Sequence, residues 1–456
     1  MPRIALLTMS PWESEGGFKP FSLAVWRLKA ALLRDSPDVE VKIFDANDWS
    51  LDAWQAAIED FAPDIVGVSA YVWSFPTFAE LSRRLSRPDR WLIFGGPSAR
   101  QEMLTLSPYA DAPQWLDAFC FTEGESVMTA VAACWPDRTR LLSLPGLAAW
   151  DGARWSHNAR PLTRGLSELA SPYQMGLLPP GTTAQLETFR GCPMSCSFCQ
   201  WGILPARKEA ASRAFLIAEL SALKAMGANE VFMVDAALNL HSSAFTALSE
   251  AEAEVGLIAG REFVTEIYPT RLKPAHLDLL ASAKSFVGIG LQSTDRDAMR
   301  RIGRPYTAEN FQRAIAQLSE VAMTTIEIIV GLPDETPERF WETFEHVLRL
   351  PVSVRVFQSL ILPDAGLLQA QSSDIRFDPR SMRMLSSPTW NPAVYRETLA
   401  AIHRRAVDLG GWYSRSWPSP AHPDDPLAEL GRPLGGPMWT IPDHTHERHH
   451  RLRVPG

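Results

Sequence analysis

Cysteine is scarce in this chain, with 5 among 456 residues. So few thiols exclude a scaffold held together by disulfides, and they suit a reducing compartment. Long apolar runs are missing as well: no stretch reaches membrane-spanning length, and the apolar run that follows Met1 is too short for a signal peptide. We therefore expect a cytoplasmic protein without a membrane partner.

An excess of basic residues is also lacking. The net charge is −8, which leaves no electrostatic footprint for nucleic acid. Histidine is absent from the first third of the chain, where the first one is His157. The composition is otherwise ordinary for a globular protein, with 46% hydrophobic and 21% charged residues, and the length suits two or three domains.

Three of the cysteines lie close together, as Cys192, Cys196 and Cys199 in a C-x3-C-x2-C pattern. Three such thiolates can hold three irons of a four-iron cluster and leave the fourth iron open to a substrate or cofactor. A structural zinc site would need a fourth ligand, and a disulfide would leave one thiol unpaired. Cys120 and Cys134 lie in a predicted strand and a predicted helix, where we expect inert core residues.

The first third of the chain alternates short apolar runs with segments of helical periodicity. The apolar runs predict five strands, at residues 4–7, 41–44, 65–69, 92–94 and 118–121. This alternation predicts an α/β fold whose first domain, residues 1–140, is a doubly wound, Rossmann-like parallel sheet. Ligands of such sheets bind at the carboxyl ends of the strands, where Gly95 and Gly96 either let a flat ligand approach or simply form a tight turn.

A linker with a hairpin is expected at residues 141–180, around the Asp151-Gly152 turn. A second βα series follows, with predicted strands at residues 185–188, 230–234, 263–266, 286–290, 325–330 and 354–360. Six strands predict a partial (β/α)6 barrel over residues 181–365. The cysteine loop follows the first of these strands, at the end of a barrel where its chemistry lies.

Residues 366–456 are expected to form a mostly irregular and helical cap over the substrate, with one helix at residues 392–409. Four aromatic residues of this cap either pack in the ordinary way or form an apolar lid: Trp412, Tyr413, Trp417 and Trp439. The histidines within residues 443–450 suggest a metal cluster at first sight. Because nothing nearby fixes a coordination geometry, a mobile polar terminus is the preferred interpretation.

The cysteine loop, with Phe198 just before its last cysteine, resembles that of the radical S-adenosylmethionine (SAM) superfamily. Residues 288–293 (GIGLQS) and 330–336 (VGLPDET) are similar to the later strand motifs of that superfamily, and they follow in the same order. Ahead of them, the turns at residues 69–71 and 95–97 are similar to those of the cobalamin-binding domain fused to many of these enzymes. The combination resembles the cobalamin-dependent radical SAM enzymes.

That resemblance implies an enzyme with a [4Fe-4S] cluster, SAM and cobalamin, and most often a methyltransferase that acts on an unactivated carbon. It implies SAM on the open iron, a 5′-deoxyadenosyl radical that removes a substrate hydrogen, and a methyl group delivered from cobalamin. The substrate would be a small molecule or a peptide, and electrons would come from a donor such as flavodoxin or ferredoxin. A cyclisation or rearrangement without net methylation is the alternative, and an iron-sulfur electron carrier or scaffold is the non-enzymatic one.

The resemblance also assigns residues, although no catalytic side chain is identified. The cluster ligands would be Cys192, Cys196 and Cys199. The residues assigned to SAM binding are Phe198, Glu266, Gln292, Arg304 and Glu327. The last four have an alternative role in salt bridges at the barrel rim, and Asp235 and Asn239 are weaker candidates for the SAM amino group. The residues assigned to cobalamin binding are Ser69, Tyr71, Trp73, Gly95, Gly96, Pro97, Glu123 and Gly124.

The chain departs from the family in one informative way. Many cobalamin domains supply a histidine to the lower face of cobalt, and this chain has no histidine before His157. The first domain therefore either binds cobalamin without a protein imidazole or does not bind it. Tyr71 and Trp73 are candidates to cover the lower face, or are core residues. A side chain at Gly95 or Gly96 is expected to collide with the corrin, so that Gly96→Val loses cobalamin and still folds.

Overall fold

The computed structural model describes residues 2–10, 22–46, 48–157, 164–203, 210–304, 307–369, 374–413 and 438–443. These residues form two large sheets, each covered by helices, and one two-stranded ribbon. No helix among these ranges is both long enough and apolar enough to cross a membrane.

The first sheet has seven strands in the order β2-β1-β3-β4-β5-β6-β7. Its strands are β1 Arg3–Thr8, β2 Glu40–Asp45, β3 Ile65–Ser69, β4 Trp91–Gly95, β5 Ala118–Cys120, β6 Leu147–Trp150 and β7 Trp155–His157. Strands β1 to β5 pair in parallel, which confirms the predicted Rossmann-like sheet. All five predicted strands are present, with bounds shifted by a residue or so.

Helices cover both faces of the first sheet. They are α1 Leu23–Asp35, α2 Leu51–Phe61, α3 Phe75–Leu85, α4 Gln101–Thr105, α5 Gly124–Cys134 and α6 Arg138–Leu141. Strand β4 shows why both faces are apolar: Leu92 and Phe94 pack into one core with Phe75, whereas Ile93 packs into the other core with Val25. A parallel strand buried on both faces needs such an unbroken apolar run.

The hairpin predicted in a linker belongs to the first sheet. Strand β6 pairs antiparallel with β5, and β7 pairs antiparallel with β6. The first sheet therefore continues to His157, beyond the boundary expected at residue 140. Sequence periodicity cannot show this, because a short hairpin reads the same whether or not its outer strand finds a sheet to extend.

The second sheet has eight strands in the order β16-β17-β13-β12-β11-β10-β9-β8. The six parallel ones are β8 Ala184–Leu186, β9 Glu230–Met233, β10 Glu262–Glu266, β11 Lys284–Gln292, β12 Met323–Val330 and β13 Ser353–Gln358. They are the strands of the predicted partial barrel, which is confirmed. The helices on its outside are α7 Arg213–Ala225, α8 Ser242–Val255, α9 Pro274–Ala281, α10 Arg296–Arg301, α11 Ala308–Leu318 and α12 Pro337–Leu348.

The C-terminal region contributes to this sheet, and is not only a cap. Its elements are α13 Gly366–Gln369, the ribbon strands β14 Arg376–Phe377 and β15 Met384–Ser386, the helix α14 Pro392–Asp408, and the strands β16 Trp412–Tyr413 and β17 Met438–Ile441. Strand β17 pairs antiparallel with β13 and so extends the barrel sheet beyond its parallel strands. The predicted helix at residues 392–409 is present, but the expected irregular stretch contains a strand. Trp417 and the histidine-rich tail from residue 444 onward lie outside the described residues.

Trp439 on β17 is fully buried and donates from Nε1 to His403 Nδ1 at 3.3 Å. We expect Trp439→Ala to lower the free energy of unfolding by about 3–5 kcal/mol, because it leaves a large cavity between β13 and α14. Trp412→Ala, in the neighbouring strand, is the control, since that side chain is 55% exposed. Urea unfolding measures both, and equal effects of the two substitutions would contradict the buried position of Trp439.

Candidate active site

The cysteines lie in a loop of residues 190–200, here called the cluster loop, which follows β8 at the carboxyl end of the barrel. Asp235, at the end of β9, holds the start of this loop. Its carboxylate accepts hydrogen bonds from the backbone N–H and the hydroxyl of Thr188 and from the backbone N–H of Phe189. Burial raises the pKa of Asp235 to about 7. This residue is thus occupied in shaping the loop, although it had been a candidate contact to SAM.

The three cysteine residues of the cluster loop line one cavity, which has a volume of about 70 Å³ and opens to solvent. Burial raises the pKa of Cys192, and it raises the pKa of Cys199 to about 11. Thiols in such surroundings stay protonated until a metal replaces the proton.

The donor set fits a cluster better than a single ion. Among the described residues, no group of three or more His, Cys, Asp or Glu converges on one point as ligands of a single metal ion would. Three thiols spread around a common cavity instead suit a cluster in which each binds a different iron. No fourth cysteine lines this cavity, so the described residues offer three thiols for a cluster of four irons.

Two glycines of β11 keep the barrel interior open beside the cavity. A side chain at Gly288 would collide with the carboxyl group of Glu266, and a side chain at Gly290 would collide with the amide of Gln292 and the guanidinium of Arg304. The glycines therefore make room for three of the residues assigned to SAM. Strand β11 also bulges between Gly290 and Gln292, which turns Gln292 to a positive φ of 70°.

Arg304 lies directly against the cysteines. Its Nε and Nη2 donate to Gly290 O at 3.0 and 2.7 Å, and its Nη1 is 3.8 Å from Cys196 Sγ. The guanidinium carbon sits 5.1 Å from the centre of the Tyr268 ring. Asn239 fixes that tyrosine by exchanging two hydrogen bonds of 2.8 Å with its backbone. Like Asp235, Asn239 therefore supports the site by holding the backbone.

Glu266 and Glu327 lie near one another inside the barrel, and Glu266 lines the cavity. Burial, and after it the charge of Glu327, raises the pKa of Glu266 well above its ordinary value. Arg355 on β13 donates to Glu327 Oε1 at 3.3 Å and partly offsets this effect. Sequence reasoning missed Arg355, although its alternation with the buried Val354 and Val356 was a signal that it points into the barrel.

The two later motifs of the barrel, residues 288–293 and 330–336, are joined by a hydrogen bond. The Ser293 hydroxyl donates to the Glu335 carboxyl, which is fully buried. Burial raises the pKa of Glu335 to about 8. Phe198 of the cluster loop packs on the same side of the barrel, in a small apolar cluster with Ile302 and Ile329.

The residues assigned to cobalamin lie at the carboxyl ends of β3, β4 and β5. Tyr71 and Trp73 stack with ring centres 4.4 Å apart, and Trp73 Nε1 donates to Met9 O at the end of β1. Ser69 hydrogen-bonds to the phenol of Tyr71, whose pKa is nevertheless raised by burial. The stack thus forms a rigid aromatic wall at the carboxyl edge of the sheet.

The prediction that Gly96→Val loses cobalamin and still folds was wrong. Gly96 has a φ of 89°, and a Cβ there would lie 2.7 Å from Ala70 O and 3.0 Å from Ala70 N. Gly96→Val is therefore incompatible with the turn itself, whether or not a ligand is present. At Gly95 a Cβ would meet its neighbours at ordinary distances of 3.8 and 3.9 Å, so only Gly95 can report on a ligand.

Glu123 and Gly124 have partners within the protein. Glu123 lies 3.5 Å from Arg190 of the cluster loop. A Cβ at Gly124 would come within 2.9 Å of Leu28, so this glycine allows α1 and α5 to pack closely. Burial alone would raise the pKa of the neighbouring Glu125, but the charge and hydrogen bonds of Arg190 lower it to about 2.

The carboxyl edge of the first sheet meets the cluster loop directly. Arg190 donates to both carboxylate oxygens of Glu125, at 2.6 and 3.2 Å. Gln200 Nε2 donates to Pro97 O at 3.1 Å and to Pro363 O at 2.8 Å. The two sets of assigned residues, which are far apart in sequence, therefore face one region.

Comparison with known proteins supports this geometry. Residues 186–347 match the model of the Radical SAM superfamily. The chain is 26% identical over 377 residues to the cobalamin-dependent radical SAM methyltransferase TokK of Streptomyces tokunonensis, a match that covers 75% of this chain and 54% of that protein. It is 28% identical over 346 residues to the 2-(S-pantetheinyl)-carbapenam-3-carboxylate methyltransferase of Streptantibioticus cattleyicolor, covering 67% and 48%. The chain spans about half the length of these two relatives.

Among solved structures, the fold is similar to that of OxsB, a cobalamin-dependent SAM radical enzyme determined with aqua-cobalamin and SAM bound. The TM-score is 0.63 at 14% identity, over 89% of this chain and 66% of that one. These findings confirm the resemblance: the chain has a radical SAM domain and is similar to the cobalamin-dependent radical SAM enzymes. The radical SAM domain implies a [4Fe-4S] cluster and SAM.

We expect Cys192→Ala, Cys196→Ala and Cys199→Ala each to abolish the four-iron content after anaerobic reconstitution, because each removes the ligand of one iron. The measurement is iron and sulfide per chain, together with the cluster absorption spectrum. Cys120→Ala and Cys134→Ala are matched controls, since both thiols are buried in the core of the first sheet. A full cluster in Cys196→Ala would contradict the assignment.

Proposed function

We propose that this protein is a cobalamin-dependent radical SAM methyltransferase that methylates an unactivated carbon of a small-molecule or peptide natural product. One observation carries the proposal: the cavity lined by the three cysteines adjoins the carboxyl edge of the first sheet, through Gln200 and Arg190. A ligand bound at that edge would lie on the same side of the molecule as SAM at the cluster. Methyl transfer that uses both cofactors needs this arrangement.

The cluster site is built from the cluster loop and the barrel interior. Cys192, Cys196 and Cys199 hold the cluster, and Arg304 beside Cys196 is placed to bind the carboxylate of SAM. Gln292 lies next to Arg304 over Gly290, where its uncharged amide is placed to add a hydrogen bond to SAM.

The two acidic residues assigned to SAM differ in their surroundings. Glu266, whose pKa is raised by burial, can carry a proton and donate a hydrogen bond. Glu327 accepts a hydrogen bond from Arg355 and is placed to accept others from ribose hydroxyls. Phe198 of the cluster loop packs against Ile302 and Ile329 and anchors this loop to the barrel.

The cobalamin site is built from the carboxyl edge of the first sheet. Ser69 and Pro97 border it, Gly95 leaves space for the flat ring, and the Tyr71–Trp73 stack supplies an apolar wall. None of these side chains is an imidazole, so cobalt would have no histidine ligand from the residues assigned to this edge. Glu123 and Gly124 serve this site indirectly, through Arg190 and α1.

When bound, the cluster with SAM supplies one-electron chemistry that removes a hydrogen, and cobalamin supplies the methyl group. The chain's own contribution is to position both cofactors and to exclude water from the space between them. One relative is named for a carbapenam carboxylate, which supports a small-molecule substrate. An external electron donor, such as flavodoxin or ferredoxin, completes the proposal.

The reaction class is tested by product analysis with methyl-deuterated SAM, first on a carbapenam carboxylate and then on a wider set of natural products. We expect S-adenosylhomocysteine and 5′-deoxyadenosine to form together, one of each per methylated product. Arg304→Ala should lower both by on the order of a hundredfold, because a displacement of about 1 Å of a bound reactant can have that effect. If product forms with 5′-deoxyadenosine and without S-adenosylhomocysteine, the reaction is a rearrangement and not a methylation. S-Adenosylhomocysteine alone would exclude hydrogen removal.

Cobalamin binding is tested separately with Gly95→Ala. The added Cβ meets its protein neighbours at ordinary distances, so we expect an unchanged unfolding midpoint and a loss of hydroxocobalamin affinity of about tenfold or more. Spectrophotometric titration measures the affinity, and the electron paramagnetic resonance spectrum of the cob(II)alamin form should lack histidine superhyperfine splitting. Wild-type protein that retains no cobalamin would show that the first domain is not a cobalamin domain.

A further inference from the structure

Both ends of the cluster loop are fastened to the first sheet. At the C-terminal end, Gln200 follows Cys199 directly, and its side-chain amide donates to Pro97 O and Pro363 O. A primary amide nitrogen has two hydrogens, so both carbonyl groups can be satisfied at once. Pro97 follows the Gly95-Gly96 turn after β4. One amide thus joins the turn, the cluster loop and the loop after β13.

At the N-terminal end, Arg190 reaches Glu123 in the turn after β5, at 3.5 Å, and Glu125 in the first turn of α5. Its guanidinium pairs with both oxygens of Glu125, and its Nε donates to Glu187 Oε1 at 2.7 Å. The Arg190 side chain is only 14% exposed and that of Glu125 only 9%. A two-pronged pair in such surroundings holds its geometry, whereas a solvated ion pair does not.

The loop that carries Pro363 is itself tied to the first sheet. Arg100 Nε pairs with Asp364 Oδ2 at 2.7 Å, and Arg100 also donates to Gly96 O at 3.2 Å. The acceptors of Gln200 are therefore held in place from both sides. Movement of the turn after β4 must be transmitted to the residue next to Cys199, because no free segment lies between them.

We propose that Gln200 and Arg190 are positioning residues that couple filling of the cluster site to filling of the cobalamin site. This rests on the proposed function, which places cobalamin against the turns after β4 and β5. A cofactor that orders either turn orders the cluster loop as well, and so lowers the entropy lost when the second cofactor binds. The coupling is reciprocal by thermodynamic necessity.

The test measures hydroxocobalamin affinity twice for each full-length protein, once with the cluster removed by chelation and once after anaerobic reconstitution. For the wild type we expect the reconstituted form to bind at least about fivefold more tightly. The ratio of the two affinities, reconstituted over cluster-free, should approach one in Gln200→Ala and in Gln200→Glu. The first substitution removes both donors, and the second turns a carboxylate toward two carbonyl oxygens. Gln312→Ala, on an exposed position of α11, is the matched control and should keep the wild-type ratio.

Arg190 needs a variant that does not strand Glu125, the carboxylate it contacts through both oxygens, while Glu187 keeps Arg27 at 3.4 Å. Arg190→Gln combined with Glu125→Gln removes both charges and preserves hydrogen-bonding groups of similar shape. We expect this double variant to fold and its ratio of hydroxocobalamin affinities, with and without the cluster, to approach one. Iron retained per chain during dialysis is the reciprocal readout: added cobalamin should slow iron loss from the wild type and not from the variants.

A purely structural role for the two residues would lower the unfolding midpoint and leave the ratio unchanged, and that outcome overturns the inference. A wild-type ratio of one also overturns it. If the wild type binds no cobalamin, the proposed function fails, and the inference fails with it. Cobalamin binding together with normal product formation and an unchanged ratio in the variants overturns the inference alone.

Discussion

A buried group of charges holds the two sheets together where their strands end. Arg190 pairs with Glu125 and Glu187, and Arg27 of α1 lies 3.4 Å from Glu187 and 3.7 Å from Glu219. Removing such charges from water is unfavourable, and only well-matched partners offset it. Arg190 has such partners, whereas the guanidinium nitrogens of Arg27 make no hydrogen bond among the described residues. The contacts of Arg190 therefore favour one arrangement of the two sheets over others. The cavity beside the cysteines and its contact with the first sheet both depend on that arrangement.

Two glycines of β11, which have no side chains, leave space in the interior of the barrel. Gly288 and Gly290 lie on the face of β11 that is turned to the barrel interior. The carboxyl group of Glu266 and the guanidinium of Arg304 occupy the space that side chains at these two positions would fill. The outer positions of the same strand, Val287 and Ile289, are fully packed in the core. Stability and function are thus divided between the two faces of one strand.

Local patterns predicted most of the fold, because a parallel strand buried on both faces must be an apolar run. They also predicted the cluster loop, since three thiols at this spacing have few other uses. They failed where a residue's role depends on a distant neighbour. Asp235 and Asn239 hold the backbone of Phe189 and Tyr268. A glycine is needed at position 96 because a side chain there would collide with the backbone of Ala70. Strand β17 was missed because it is defined by its pairing with β13 and β16, which are distant in sequence.

The sequence by itself determined the two βα series, the three clustered cysteines and the absence of an early histidine, since these are properties of composition and spacing. Only the tertiary structure decided that the turns after β4 and β5 contact the loop that carries the cysteines. Gln200 and Pro97 are 103 positions apart, and Arg190 and Glu125 are 65 positions apart. No local pattern encodes such pairs, because their distance is set by how two separately folded cores dock, and that depends on the shape and charge of both surfaces together.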